Sequence, residues 1–276
     1  MGEINMQSKS KTKKKSFISK DTVNWKLYLI LLGACIFGTL AVLPYTLTLQ
    51  GGLLENSTVP LYFILAAQII QSIVLFSVTI FIGLLLSKKV GLELPILEGW
   101  LEGREVKNYL KSVLGISIGL GILASIMIIG IDYLFSSTGL TSSIVMAQIT
   151  PPAWQGLLSS FYGGINEEIL LRLFLMTLIT WIIFKIRKTE EGYPTHTGMW
   201  LAIILAALIF GMGHLPMVMA LATLTPLLVM KVIILNAVGG IIFGWLYWKK
   251  GLESAMISHF SADIVLHVAL PLVAVI

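Results

Sequence analysis

Apolar residues fill this chain in long, nearly unbroken blocks separated by short polar breaks, with no alternation of the kind that marks half-buried strands. A helix needs roughly 20 apolar residues to cross about 30 Å of hydrocarbon. Blocks of that length predict spans at 26–49, 60–86, 112–135, 153–184, 199–220, 228–248 and 252–274, a count of seven to eight. Between the second and third blocks, residues 87–111 mix Leu92, Leu94, Ile96, Leu97, Trp100 and Leu101 with Glu93, Glu98, Glu102 and Arg104. That mixture predicts an amphipathic segment lying along the membrane interface. The expected fold is therefore all-α, a polytopic membrane helical bundle with one interfacial amphipathic segment. Neither an internal repeat nor a low-complexity linker divides the chain. It reads as a basic tail (1–25), N-terminal transmembrane helices with the amphipathic loop (26–150), and a C-terminal membrane core (151–276) where the unusual polar residues gather.

Composition and charge sharpen this picture. The 276 residues are 57% hydrophobic and 12% charged, with a mean hydropathy of +0.91. A soluble domain is about a quarter charged, so a soluble protein is excluded. Lys and Arg collect in the tail (Lys9, Lys11, Lys13, Lys14, Lys15, Lys20, Lys26) and in alternate loops: Lys88 to Lys111, Lys185 to Lys188, and Lys249 with Lys250. Residues 50–59, 136–152 and 221–227 hold none. The positive-inside rule then predicts a multi-pass cell-membrane protein with a cytoplasmic N-terminus and, for seven spans, an external C-terminus. The first apolar run is too long for a cleaved signal peptide. The basic tail lacks interleaved aromatics, which favours anionic lipid headgroups over nucleic acid as its contact. Cys35 is the single cysteine and lies inside the first apolar run, so it reads as a packing residue, and a disulfide framework or cysteine zinc cluster is excluded.

A charge at the centre of a spanning helix costs about 2.5–3.5 kcal/mol on insertion scales, so each one needs a partner or a task. The fourth block contains Gly163-Gly164-Ile165-Asn166-Glu167-Glu168, followed by Arg172. On a regular helix Glu168 and Arg172 share a face and predict an ion pair, while Glu167 points about 100° away and is left for chemistry. The fifth block ends in Phe210, Gly211, Gly213, His214 and Pro216. Its glycines admit a close neighbour, and Pro216 favours a kink. The last block places His259 and Asp263 on one face, with His267 a further turn along. Glu167, His214, His259 and Asp263 together supply a general base, a proton carrier and groups to orient a water or an oxyanion, as peptide hydrolysis requires. The same four would be the ligands if a metal such as zinc were bound, although no His-Glu-x-x-His pair is present. A proton- or ion-coupled transporter, or a non-catalytic bacteriocin-immunity or peptide-binding membrane protein, would use buried groups of the same types. His267 near the end of its helix and His196 in a polar loop are placed outside the site. Lys231 is expected to snorkel and Asp132 to reach headgroups.

In order along the chain, Glu167-Glu168-x-x-x-Arg172, Phe210-x-x-x-His214 and His259-x-x-x-Asp263 resemble the motifs of the CAAX-protease and bacteriocin-processing (CPBP, or Abi) family of intramembrane endopeptidases. The run from Gly240 through Phe243, Gly244 and Tyr247 to Gly251-Leu252 is similar to the stretch before the family's third motif, and the resemblance covers about residues 150 to 266. It implies that Glu167 with His214 activates a water while His259 and Asp263 position it or stabilise the tetrahedral oxyanion, with Glu168, Arg172 and Phe210 in support. The family has been described both as metalloproteases and as glutamate-dependent proteases. The metal-free glutamate mechanism is expected here, with Zn2+ as the alternative. Asp263 stands where some members have asparagine. An aspartate donates no hydrogen bond unless protonated, which tilts its role toward orienting His259 or binding metal. The implied partners are the lipid bilayer and a membrane-associated peptide or protein substrate. Eukaryotic relatives suggest a prenylated C-terminal motif, but the short loops give no reason to expect a lipidated substrate here.

Overall fold

Backbone amides in hydrocarbon have no water to bond, so a chain this apolar must close its hydrogen bonds within each segment, and the helix is how it does so. The computed structural model describes residues 23–55, 57–137 and 151–274. Those residues contain seven helical stretches long and apolar enough to cross a membrane. The first three are α1 (Trp25–Glu55), α2 (Leu61–Val90) and α4 (Lys107–Ser137), with the short α3 (Pro95–Leu101) between the last two. The fourth is composite: α5 (Ala153–Phe161) passes through π-helical turns at Tyr162–Glu167 and Ile169–Met176 into α6 (Thr177–Ile186). The fifth joins α7 (His196–Gly213) to α8 (Leu215–Leu221), and the sixth is α9 (Pro226–Lys250). The seventh runs from α10 (Leu252–Asp263) through a π-helical turn at Ile264–Ala269 into α11 (Leu270–Ala274). No strand occurs among the described residues, whose one β-type pairing is an isolated bridge between Lys188 and Pro194. The all-α membrane bundle is as expected, and among the described residues its span count is seven. Most of the basic tail lies outside the described residues.

Large apolar side chains such as Leu29, Phe63, Val74 and Leu134 are exposed around the bundle, as lipid-facing positions would be. Between helices, small residues let backbones meet. Gly121 of α4 lies against the carbonyl of Ser258 in α10, and Gly240 of α9 against Ala207 of α7. A Cβ at either glycine would collide with its neighbour, so larger residues would push the spans apart. Cys35 is buried as a packing residue.

Two expectations are corrected. The segment 87–111 is not one amphipathic element. α2 continues to Val90 and stops at Gly91, whose left-handed backbone (φ 69°) returns its N–H to Ser87; α3 is only seven residues long. α3 is fastened to α10 by Glu253, whose carboxylate accepts from the amides of Ile96 (3.1 Å) and Leu97 (2.8 Å). Lys231 and Asp132 do not seek headgroups separately. They pair at 2.8 Å and tie α9 to α4, with the Lys231 side chain buried. A protein partner is available within reach, so the lysine has no need to extend to the interface.

Candidate active site

The Gly163-Gly164 pair is where the fourth and seventh spans touch. A Cβ at Gly164 would stand 3.0 Å from Phe260 Cβ, and one at Gly163 would overlap an Asp263 carboxylate oxygen and lie 3.2 Å from His259 Nε2. Only glycine lets α10 bring its polar face so near. The backbone on either side of Glu168 is π-helical, bonding five residues back, so successive side chains turn through a smaller angle than in an α-helix. Glu167 and Glu168 therefore do not diverge as a regular helix predicts. Both reach the same imidazole.

Glu168 is fully buried, and its Oε1 accepts from His259 Nδ1 at 2.8 Å. Its other oxygen faces Arg172 Nε at 3.3 Å. A carboxylate on Nδ1 holds a ring proton there, so Nε2 of His259 points at the opposite space. Glu167 Oε2 and Asp263 Oδ1 each lie 3.7 Å from that Nε2. Glu167 is the more open of the two glutamates, with 23% of its side chain exposed.

Arg172 is sealed between rings and backbone. Its guanidinium stands over Phe210 (5.3 Å) and Phe243 (5.6 Å), and Nη2 donates to the carbonyl of Gly240 at 3.2 Å. Phe243 also stacks on His259 at 4.6 Å, which leaves that ring little freedom to turn. Glu168 is thus more than the partner of Arg172, since one buried carboxylate joins the cation to the imidazole. His214 joins differently. Its Nδ1 lies 3.0 Å from the carbonyl of Phe210, the two rings meet edge to face at 4.8 Å, and Phe210 in turn meets His259 at 5.9 Å. Phe210 is the link between the two histidines.

Three site neighbours escape a reading by motif. Asn166 is buried and donates to the carbonyl of Cys35 (2.8 Å) and to Thr39 Oγ1 (3.1 Å), anchoring the π-helical turn to α1. A polar residue beside the glutamate pair in an apolar span is the signal that marks it. Phe243 stands in the Gly240–Leu252 run, where nothing in the spacing gives it the imidazole as a neighbour. His267, placed outside the site from its position near a helix end, has its Nε2 3.9 Å from Asp263 Oδ1. The other excluded histidine, His196, is exposed at the start of α7, where it meets Trp248. Among the described residues, no group of three or more His, Cys, Asp or Glu is arranged to hold a metal ion, so the four candidate ligands do not form a zinc cage as they stand.

Residues 149–265 match the family described as Type II CAAX prenyl endopeptidase Rce1-like. Over this segment the chain is similar to the Rce1-like family. The segment contains all three motifs, from Glu167 to Asp263, and is the stretch in which the resemblance to CAAX proteases was found. The Rce1-like family is one of CAAX-type membrane proteases, in keeping with a site among spanning helices. No curated protein and no solved structure matches the chain.

Proposed function

We propose that this Rce1-like chain is an intramembrane endopeptidase that hydrolyses a peptide bond in a membrane-associated protein or peptide, using a water activated by Glu167. The observation that carries the reading is the convergence on His259, with sealed Glu168 on Nδ1 and the more open Glu167 and Asp263 both facing Nε2. Glu168 is the orienting acid of an imidazole whose other nitrogen works.

Glu167 takes one proton from the water as its oxygen attacks the scissile carbonyl carbon, and the carbonyl π electrons move onto oxygen. His259, as imidazolium backed by Glu168, offers Nε2–H to that oxyanion. Collapse of the tetrahedral intermediate breaks the C–N bond, and Glu167 returns its proton to the leaving amine. His214 orients the water or substrate from beside Phe210, and Asp263 holds the far side of the same space. Arg172 sets a guanidinium 3.3 Å from the second oxygen of buried Glu168, which holds that carboxylate in place behind His259. The N-terminus lies in the cytoplasm by the distribution of Lys and Arg between loops.

The test sets this reading against coupled transport. Purified protein in sealed proteoliposomes is supplied with membrane-anchored reporter peptides and, separately, with a pH gradient. Cleavage without protein-dependent proton flux is the expected result. Flux with every reporter intact would overturn the endopeptidase reading.

A further inference from the structure

The seventh span starts at a hinge, and polar contacts from other elements close over it. α9 ends at Lys250 and α10 begins at Leu252, with only Gly251 between them. Its φ of 86° is one that side chains rarely adopt, and a Cβ there would overlap the ring of Pro95, the first residue of α3. The amide of Leu252 donates to the carbonyl of Glu93 (3.2 Å), and the Tyr109 O–H, near the start of α4, donates to the carbonyl of Lys250 (2.9 Å). One residue past the start of α10, Glu253 Oε1 accepts from the amides of Ile96 (3.1 Å) and Leu97 (2.8 Å). The α3 segment is thereby strapped across the hinge.

Glu253 is the side chain that fastens the strap to α10. The first amides of a helix have no partner within it, and Leu94, which precedes α3, has no side-chain acceptor to offer them. A buried carboxylate from another helix takes that place. Glu253 stands six residues, about 9 Å along the axis, before His259, so it acts on the site through the helix. α10 is regular from Leu252 to Asp263, and a tilt about Gly251 therefore carries His259 and Asp263 together. His259 is eight residues, about 12 Å, from the hinge, so a tilt of about 5° moves it by about 1 Å. Displacement on that scale costs about 100-fold in rate. The close contacts of Gly121 with Ser258 and of Gly163 with Asp263 resist part of such a tilt.

We propose that Glu253, supported by Tyr109, is a positioning residue: by strapping α3 across the hinge at Gly251 it fixes the tilt of α10 that brings His259 and Asp263 to Glu167. α3 and Tyr109 lie outside the residues of the Rce1-like match, so the strap makes the first half of the chain part of the site's support. The inference rests on the endopeptidase reading, because loosening of the strap is felt as a loss of hydrolysis.

The experiment uses the full chain in proteoliposomes, a membrane-anchored reporter that the wild type cleaves and Glu167→Ala does not, and amide exchange over 96–101. Glu253→Ala is expected to speed that exchange and to lower the kcat of the folded fraction about tenfold with KM unchanged, since the lost alignment is needed only in the transition state. Glu253→Gln keeps a carbonyl acceptor for both amides and recovers most of the rate. A role in overall stability alone would lower the unfolding temperature and leave the kcat of the folded fraction as it was. A wild-type kcat in Glu253→Ala, a loss of rate no larger than the loss of folded protein, or a glutamine variant no better than alanine would overturn the inference. If Glu253→Ala does not fold, Tyr109→Phe decides the matter: a fall in kcat of about threefold with KM unchanged is expected, and an unchanged kcat overturns it. Cleavage that survives Glu167→Ala would remove the endopeptidase reading itself. An inactive Glu167→Ala beside a fully active Glu253→Ala would leave that reading standing and remove only the inference.

Discussion

Adding a single methyl group at Gly163 separates what the site does from what holds it together. The glycine lies in a helical stretch, so alanine gains about 0.8–1 kcal/mol of helix propensity. Overpacking a tight contact costs about 1–3 kcal/mol. The net change in stability therefore runs from about zero to a loss of about 2 kcal/mol. The new Cβ would overlap Asp263 Oδ2 and stand 3.2 Å from both Asp263 Cγ and His259 Nε2. Restoring ordinary contact displaces the carboxylate or the imidazole by about 1 Å, and misplacement on that scale costs about 100-fold in rate. Gly163→Ala should thus unfold within a few degrees of wild type in detergent while its kcat on a membrane-anchored reporter falls about 100-fold. A variant with wild-type kcat, or one whose loss of rate is fully explained by unfolding at the assay temperature, would refute the reasoning.

The remaining predictions concern what supports the site. Arg172→Ala removes the guanidinium from fully buried Glu168 and should cost about 3–5 kcal/mol, seen as a large drop in unfolding temperature; an unchanged midpoint would contradict the role given to the pair. Asn166→Ala removes two hydrogen bonds to α1, each worth about 0.6 kcal/mol among membrane helices, so a loss of about 1 kcal/mol should appear in the same measurement. At the interface, burial holds the Glu98 carboxyl above the usual carboxylate range, against the pull of Lys88. A carboxyl raised in the folded state adds stability at acid pH that is lost as pH rises through the folded value. Glu98→Gln should therefore tighten the docking of α3 near neutral pH, read as slower amide exchange in 95–101, with no such effect at pH below the carboxylate range.

The spans were legible because the thickness of hydrocarbon dictates their length, whatever the order of residues within them. Facing was less so. Reading the fourth block at 100° per residue separates Glu167 from Glu168, whereas the π-helical backbone turns both toward His259. Nothing in the local spacing announces that backbone except the paired glycines beside it. The ion pair of Lys231 with Asp132 joins residues far apart in sequence, so each looked like an isolated polar group needing its own excuse. Within the site, residues of one motif were visible as a set. The links between motifs, which run through Phe210 and Phe243, depend on packing that only the folded chain supplies.

The central claim is that Glu167 is the base of a hydrolysis that needs no bound metal. Cleavage of a membrane-anchored reporter by purified wild type and Glu167→Gln, each with and without a chelator, tests it most directly. The account predicts a loss of about 10²–10⁴-fold for the glutamine variant with its unfolding temperature unchanged, and a wild-type rate indifferent to chelator. Near-wild-type cleavage by Glu167→Gln, or wild-type activity abolished by the chelator and restored by zinc, would contradict it.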